Sequence, residues 1–173
     1  MSANLSNVPI QLRSKLGSLT NAKIINPSPI VNNIRKVMHC GLAIKDFENP
    51  SEIIQMIAVN QNPHALKYIK DPYPSVLSAA VQNNGLTILY IDNPSETIQI
   101  AAVTQNPHAL KHLPYASEQV QMAAVIKSGL AICHIENPSE LIQLAAVRQN
   151  GYAILHIENP SVRIQQAAFD YFN

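Results

Sequence analysis

The tripeptide Ala-Ala-Val stands at residues 79–81, 101–103, 123–125 and 145–147, and the variants Ile-Ala-Val at 57–59 and Ala-Ala-Phe at 167–169 extend the series. Every step is 22 residues. Gly or Pro recurs on the same step at Gly41, Pro63, Gly85, Pro107, Gly129 and Gly151, and Asn-Pro or Asp-Pro at 49, 71, 93, 137 and 159. A fixed period of this length is the mark of stacked supersecondary repeats, none of which can bury its apolar face alone. The heptapeptide Gln-Asn-Pro-His-Ala-Leu-Lys occurs at 61–67 and again at 105–111, two periods apart. Alternate repeats therefore carry Pro-His where the others carry Gly-Leu, as in Gly85-Leu86 and Gly129-Leu130.

The repeats run over 27–48, 49–70, 71–92, 93–114, 115–136 and 137–158, with a half repeat at 159–173. Asn26-Pro27-Ser28 comes one residue early, which places an insertion before Ile34. Each repeat reads as two short helices. In Asn93-Pro94-Ser95-Glu96 the expectation is Asn as N-cap, Pro at the first helical position and Glu returning a bond to the cap. The helix runs on to Gln105, with Ile98, Ala101 and Ala102 at helical spacing on one apolar face. Asn106-Pro107 opens the second helix with the same device. Asn84-Gly85 and Asn150-Gly151 replace it elsewhere, where Gly is expected to supply the positive φ of a helix end. The second helix buries Ala109, Leu110 and Leu113 and has two turns, in part 3₁₀. The fold class is thus all-α, a right-handed α-solenoid of about six and a half two-helix repeats over 27–173, preceded by an N-terminal cap or arm at 1–26.

Composition narrows the function classes. The net charge is +1, against phosphate-driven nucleic-acid binding. Residues 1–50 carry six Lys/Arg and two Asp/Glu, a basic end that keeps an acidic partner in view. Charged residues are only 13%, and amides fill the deficit, with 17 Asn and 12 Gln. Cys40 and Cys133 fall about four repeats apart, too far for a disulfide, and are expected as free thiols. Residues 1–25 lack the apolar run of a signal peptide, and no stretch is long enough to span a membrane, so the expected compartment is cytoplasmic, of the producing or host cell.

Several ladders of like residues follow from the period. His112, His134 and His156 share one position, preceded there by Tyr68 and Tyr90. Equivalent side chains lie roughly 8–10 Å apart, so a polar–aromatic ladder fits better than zinc, and no metal site or cofactor is expected. Glu52, Glu96, Glu118 and Glu140 are accounted for by helix capping. Gln55, Gln99, Gln121, Gln143 and Gln165 form an amide row that either bonds neighbouring helices or reads a ligand. Phe169, Tyr171 and Phe172 crowd the end of the half repeat, either folding over the core or exposing a patch for a homodimer. No nucleophile–His–acid constellation, P-loop or dinucleotide fingerprint is present, so no catalytic residue is named.

The block at 137–157, Asn-Pro-Ser-Glu-x-Ile-Gln-x-Ala-Ala-Val-x-Gln-Asn-Gly-x-Ala-Ile-x-x-Ile, resembles a short α-helical repeat of uncharacterised function. That repeat occurs in many copies in phage, giant-virus and intracellular-bacterial proteins. The resemblance covers about 49–169, with Asp71-Pro72-Tyr73-Pro74 and Pro114-Tyr115-Ala116 as departures. It implies a helical array and a viral or host-adapted source, and transfers no activity, because its fixed residues are caps and core.

The functional expectation is a non-enzymatic scaffold binding a protein partner, as an inhibitor or adaptor of viral or effector origin. The candidate binding residues are Gln55, Gln99, Gln121, Gln143, Tyr68, Tyr90, His112, His134, His156, Phe169, Tyr171 and Phe172. The alternative is a nucleic-acid or nucleotide-binding repeat protein using the amide row. A small-molecule hydrolase is the distant third. No membrane partner is expected.

Overall fold

A computed structural model describes residues 29–173, whose regular elements are all helices, with no strand among them. The expected segment 1–26 lies outside the described residues. Seven α-helices alternate with six 3₁₀ helices among the described residues. The α-helices are α1 (Pro29–His39), α2 (Glu52–Gln61), α3 (Pro74–Asn83), α4 (Glu96–Gln105), α5 (Glu118–Lys127), α6 (Glu140–Gln149) and α7 (Val162–Phe172). The 3₁₀ helices are η1 (Gly41–Asp46), η2 (Pro63–Tyr68), η3 (Gly85–Tyr90), η4 (Pro107–His112), η5 (Gly129–His134) and η6 (Gly151–His156). From α2 onward both series advance by the 22-residue step, and α1 starts early, as the displaced Asn26-Pro27-Ser28 predicts. The chain divides into two compact units, the second being Asn84–Asn173.

The α-helices begin differently from the expectation. Ser51, Ser95, Ser139 and Ser161 hold the N-cap position instead of the Asn two residues earlier, Ser117 holds it in the repeat with Tyr115 there, and each helix starts at the residue after the Ser. Asn93, Asn137 and Asn159 instead take positive φ, at 48°, 50° and 50°. Asn tolerates that left-handed region better than other side-chain-bearing residues, and it turns the chain out of the preceding 3₁₀ helix. Ser then takes the N-cap position with extended backbone, at ψ 155° in Ser95, and at Ser117 and Ser139 its side chain closes the cap by accepting from Val120 N and Ile142 N. Glu96, Glu118 and Glu140 do not reach back to a cap. Each is the first helical residue, where its charge suits the helix dipole.

The second helix of each repeat is 3₁₀ throughout its six residues. Its Asn cap works as expected: Asn62, Asn84, Asn106 and Asn150 accept from the backbone N–H two residues on. Glycine has a different task from the one expected, because no described glycine has positive φ. A Cβ at Gly85 would overlap the Ala102 carbonyl oxygen, and one at Gly129 the Ala146 carbonyl oxygen. Glycine therefore lets the end of one repeat's α-helix press against the start of the preceding 3₁₀ helix. The freed N–H is also used. Gly85 N donates to Gln105 Oε1 at 2.6 Å and Gly129 N to Gln149 Oε1 at 2.5 Å.

These contacts explain the alternation at two periods. Pro63 and Pro107 cannot donate, and the matching position one repeat later is Asn83 or Lys127 instead of Gln. Gly41, Gly85 and Gly129 go with Gln61, Gln105 and Gln149 at the helix end of the next repeat, and Gln-Asn-Pro recurs at 44 residues for that reason.

The core is made of small and branched side chains on two faces. In the α-helices Ala58, Ala80, Ala102, Ala124 and Ala146 are sealed, each followed by a sealed Val. Ile54, Val76, Val120, Ile142 and Ile164 complete the face one turn earlier. Ile98 and Ala101 are only half-buried, so the face expected from them centres instead on Ala102 and Val103. Ala109, Leu110 and Leu113 are buried as expected. A two-turn 3₁₀ helix has too few hydrogen bonds to persist alone, and its Ala-Leu or Ala-Ile pair is held by the α-helices beside it.

Candidate functional site

Two of the ladders are engaged within the framework, one between repeats and one within them. The carboxylates accept hydroxyl hydrogen bonds from the next repeat: Ser75 Oγ donates to Glu52 Oε1, Ser117 to Glu96, Ser139 to Glu118 and Ser161 to Glu140, at 2.5 to 2.9 Å. At Ser117, Ser139 and Ser161 the serine in the N-cap position thus bridges two repeats. Each glutamine of the amide row turns inward to its own loop. Gln55, Gln99, Gln143 and Gln165 donate through Nε2 to the carbonyls of Pro50, Pro94, Pro138 and Pro160, and Gln121 to that of Ala116. Gln55, 3% exposed, also donates to Asp71 O and accepts from Tyr73 N, clamping the following loop. The amide–amide bonding between helices expected for this row is replaced by amide–backbone bonding. Pro has no N–H to turn back, but its carbonyl is an open acceptor, which the amide five residues on can reach.

Clefts open between consecutive loops. In the first unit one of about 530 Å³ is lined by Pro50, Gln55, Asp71 and Tyr73. In the second unit Gln99 and His112 line one of about 420 Å³, and Gln143 and His156 one of about 520 Å³. The clefts are shallow and walled by backbone and amides.

The 3₁₀ helices turn outward at their second, fifth and sixth residues, and the α-helices also expose Ile126, Leu141 and Val162. In the first unit η2 presents His64, Lys67 and Tyr68, with Lys67 Nζ 5.8 Å from the Tyr68 ring centre, a weak cation–π contact. In the second unit Leu89 is exposed on η3 beside half-buried Tyr90. His108, Lys111 and His112 are exposed on η4, and Leu130 and Cys133 flank half-buried His134 on η5. Tyr152, Leu155 and His156 are exposed on η6, with Leu155 at 77%. Both cysteines, Cys40 and Cys133, are free and exposed.

The histidines meet in a way that equal repeat positions did not foretell. His108 Nδ1 and His134 Nε2 are 3.1 Å apart, with ring centres 5.4 Å apart and planes at 69°. A hydrogen bond between two imidazoles needs a bare nitrogen as acceptor, so at least one ring of the pair is neutral. Burial holds the His134 pKa below the usual histidine value, helped by the positive fields of His108, Lys111, His112 and His156. The His112 pKa is lowered too, by burial and then by Lys111. The signal for the pair was present as a spacing of 26 residues, one period plus one helical turn. Among the described residues no three His, Cys, Asp or Glu side chains are grouped to hold a metal ion.

At the end of α7 the aromatic cluster divides. Phe172 stacks edge-on against Tyr152 at 5.0 Å and Tyr171 at 5.2 Å, and the Tyr171 and Phe172 rings close over Gly151. Phe169 does not join them and is 62% exposed. Among the described residues no helix is long and apolar enough to cross a membrane.

A family model described as LVIVD repeat matches residues 79–104, little more than one period of the chain. It supports the presence of a short repeat. No curated protein and no solved structure matches the chain.

Proposed function

We propose that the chain is a non-enzymatic helical-repeat scaffold that binds a protein partner through the outward faces of its 3₁₀ helices. In this reading the repeats form a right-handed α-solenoid of about six and a half copies. One observation carries the proposal. The carboxylate ladder is engaged in holding repeats together and the amide row in tying down its own loops, whereas the 3₁₀ helices turn Leu89 and Leu155 to solvent at one repeat position and Leu130 and Tyr152 at another. Rows of exposed aliphatic and aromatic side chains are what protein interfaces use at their centres. The binding residues move accordingly from the glutamines to the 3₁₀ positions, and Tyr68, Tyr90, His112, His134 and His156 stay among them. Blocking or adapting a partner, as a viral or effector protein does, is the form of this function that the repeat resemblance suggests.

The test compares proteins retained from a native lysate by the full chain, by Leu155→Asp on η6 and by Leu141→Asp on α6. Both leucines are exposed, at 77% and 60%, so both variants are expected to fold. Proteins lost from Leu155→Asp and kept by Leu141→Asp support the reading. Equal retention by all three, or retention of nucleic acid that collapses with rising salt, contradicts it.

A further inference from the structure

We propose that the η4–η6 face of the second unit is the docking site for an acidic, leucine-bearing peptide segment of the partner protein. The inference rests on the reading of the 3₁₀ faces as the binding side and names the chemistry of what they bind.

Five basic side chains converge there: His108, Lys111 and His112 from η4, His134 from η5 and His156 from η6. His108 Nδ1 lies 3.1 Å from His134 Nε2, and His108, Lys111, His112 and His156 each act on His134 to hold its pKa down. Glu136 and Glu158 belong to the loops beyond the 3₁₀ helices, where they line a cleft with His156, and Asp92 lines another with His112. The carboxylates thus share these clefts with His156 and His112. Leu130, Tyr152 and Leu155 stand exposed on the same two helices, η5 and η6. Charge complementarity therefore asks for carboxylates, and the neighbouring leucines ask for an apolar side chain among them.

A peptide fits this face better than a nucleic acid. Lys111 is the one permanently charged member of the five, and a phosphate backbone draws its affinity from several fixed cations. The imidazoles of His112 and His134, whose pKa values are held down, offer single hydrogen bonds suited to individual carboxylates. A bound carboxylate offsets the mutual repulsion of the cluster and stabilises its protonated members. Binding then takes up protons and strengthens as pH falls.

Fluorescence anisotropy on the full chain tests this with three labelled probes: a Glu-rich peptide containing leucines, its Gln-for-Glu counterpart, and a single-stranded DNA of similar charge. The Glu peptide is expected to bind roughly tenfold or more tightly at about pH 5.8 than at about pH 7.5. The His108→Gln/His134→Gln variant should lose most of that difference. Lys111→Gln, at an exposed position, should weaken binding severalfold at both pH values. Failure of the Glu peptide to bind, equal binding of the Gln counterpart, an unchanged pH dependence in the double variant, or tighter binding of DNA would each overturn the proposal. The Leu155→Asp comparison decides separately whether the 3₁₀ face binds a protein at all.

Discussion

Replacing Gly129 by Ala separates two opposed effects whose sign depends on how closely the repeats pack. Gly129 does not have positive φ, so Ala suits its backbone. With nothing nearby, the substitution would stabilise by about 0.4–1 kcal/mol, by restricting the unfolded chain. The added Cβ, however, meets the Ala146 carbonyl oxygen, with Gln149 Oε1 at 3.0 Å and Asn150 N at 3.1 Å. Two of these are backbone atoms at the end of α6 and cannot rotate aside. Overpacking of this kind costs about 1–3 kcal/mol, and the shift also strains the Gly129 N–H bond to Gln149. The net expectation is a loss of about 1–2 kcal/mol, read by urea unfolding followed by far-UV circular dichroism. Gly151→Ala is the comparison. Its Cβ would meet ring atoms of Tyr171 and Phe172, side chains near the end of α7 that can swing away, so its effect should be much smaller. A Gly129→Ala protein as stable as the parent, or more stable, would refute the close approach of α6 to η5.

Ile142 is fully buried in α6, and Ile142→Ala should cost about 2–4 kcal/mol in the same assay. Gln55→Ala removes a sealed amide with three backbone partners and should cost about 1–3 kcal/mol, against a few tenths for exposed Gln165→Ala, in paired thermal melts. A double-mutant cycle on Glu118 and Ser139, whose hydrogen bond is exposed, should return a coupling below about 1 kcal/mol. His134 has a folded pKa below the unfolded value, so acidification through the ordinary histidine range protonates the unfolded chain first. Its contribution is intact above that range and lost as pH falls through it. Melting temperature should therefore decline from neutral towards mildly acidic pH, and less steeply in His134→Gln.

The repeat and its two helices were legible in the sequence because caps and core recur every 22 residues. The N-cap was misassigned because Asn-Pro-Ser-Glu holds two competent caps. Asn93 and Ser95 are both good N-cap types, and only the direction of the chain leaving η3 decides that Asn93 turns and Ser95 caps. The role of glycine was hidden for a related reason. Gly after Asn suggests positive φ, and the crowding by Ala102 or Ala146 belongs to the next repeat. The Gly–Gln and Pro–Asn or Pro–Lys pairing was visible along the chain and becomes interpretable once the Gly85–Gln105 bond is seen. The glutamines looked like a ligand-reading row because the sequence shows their register and not their direction. Tyr and His at the sixth 3₁₀ position were correctly marked as a shared position. The partner of His134 proved to be His108, one turn away from the equivalent His112.

Hydroxyl-radical footprinting, read residue by residue by tandem mass spectrometry, tests most directly the central claim that both helices of each repeat bury one face in the core while the 3₁₀ helices turn their second and fifth residues outward. Leu130, Tyr152 and Leu155 should be modified rapidly, while Leu110, Ile132, Ile142 and Leu144 stay protected. Oxidation of Ile132 and Ile142 at the rate of Leu155, or protection of Tyr152 and Leu155 in the isolated chain, would contradict it.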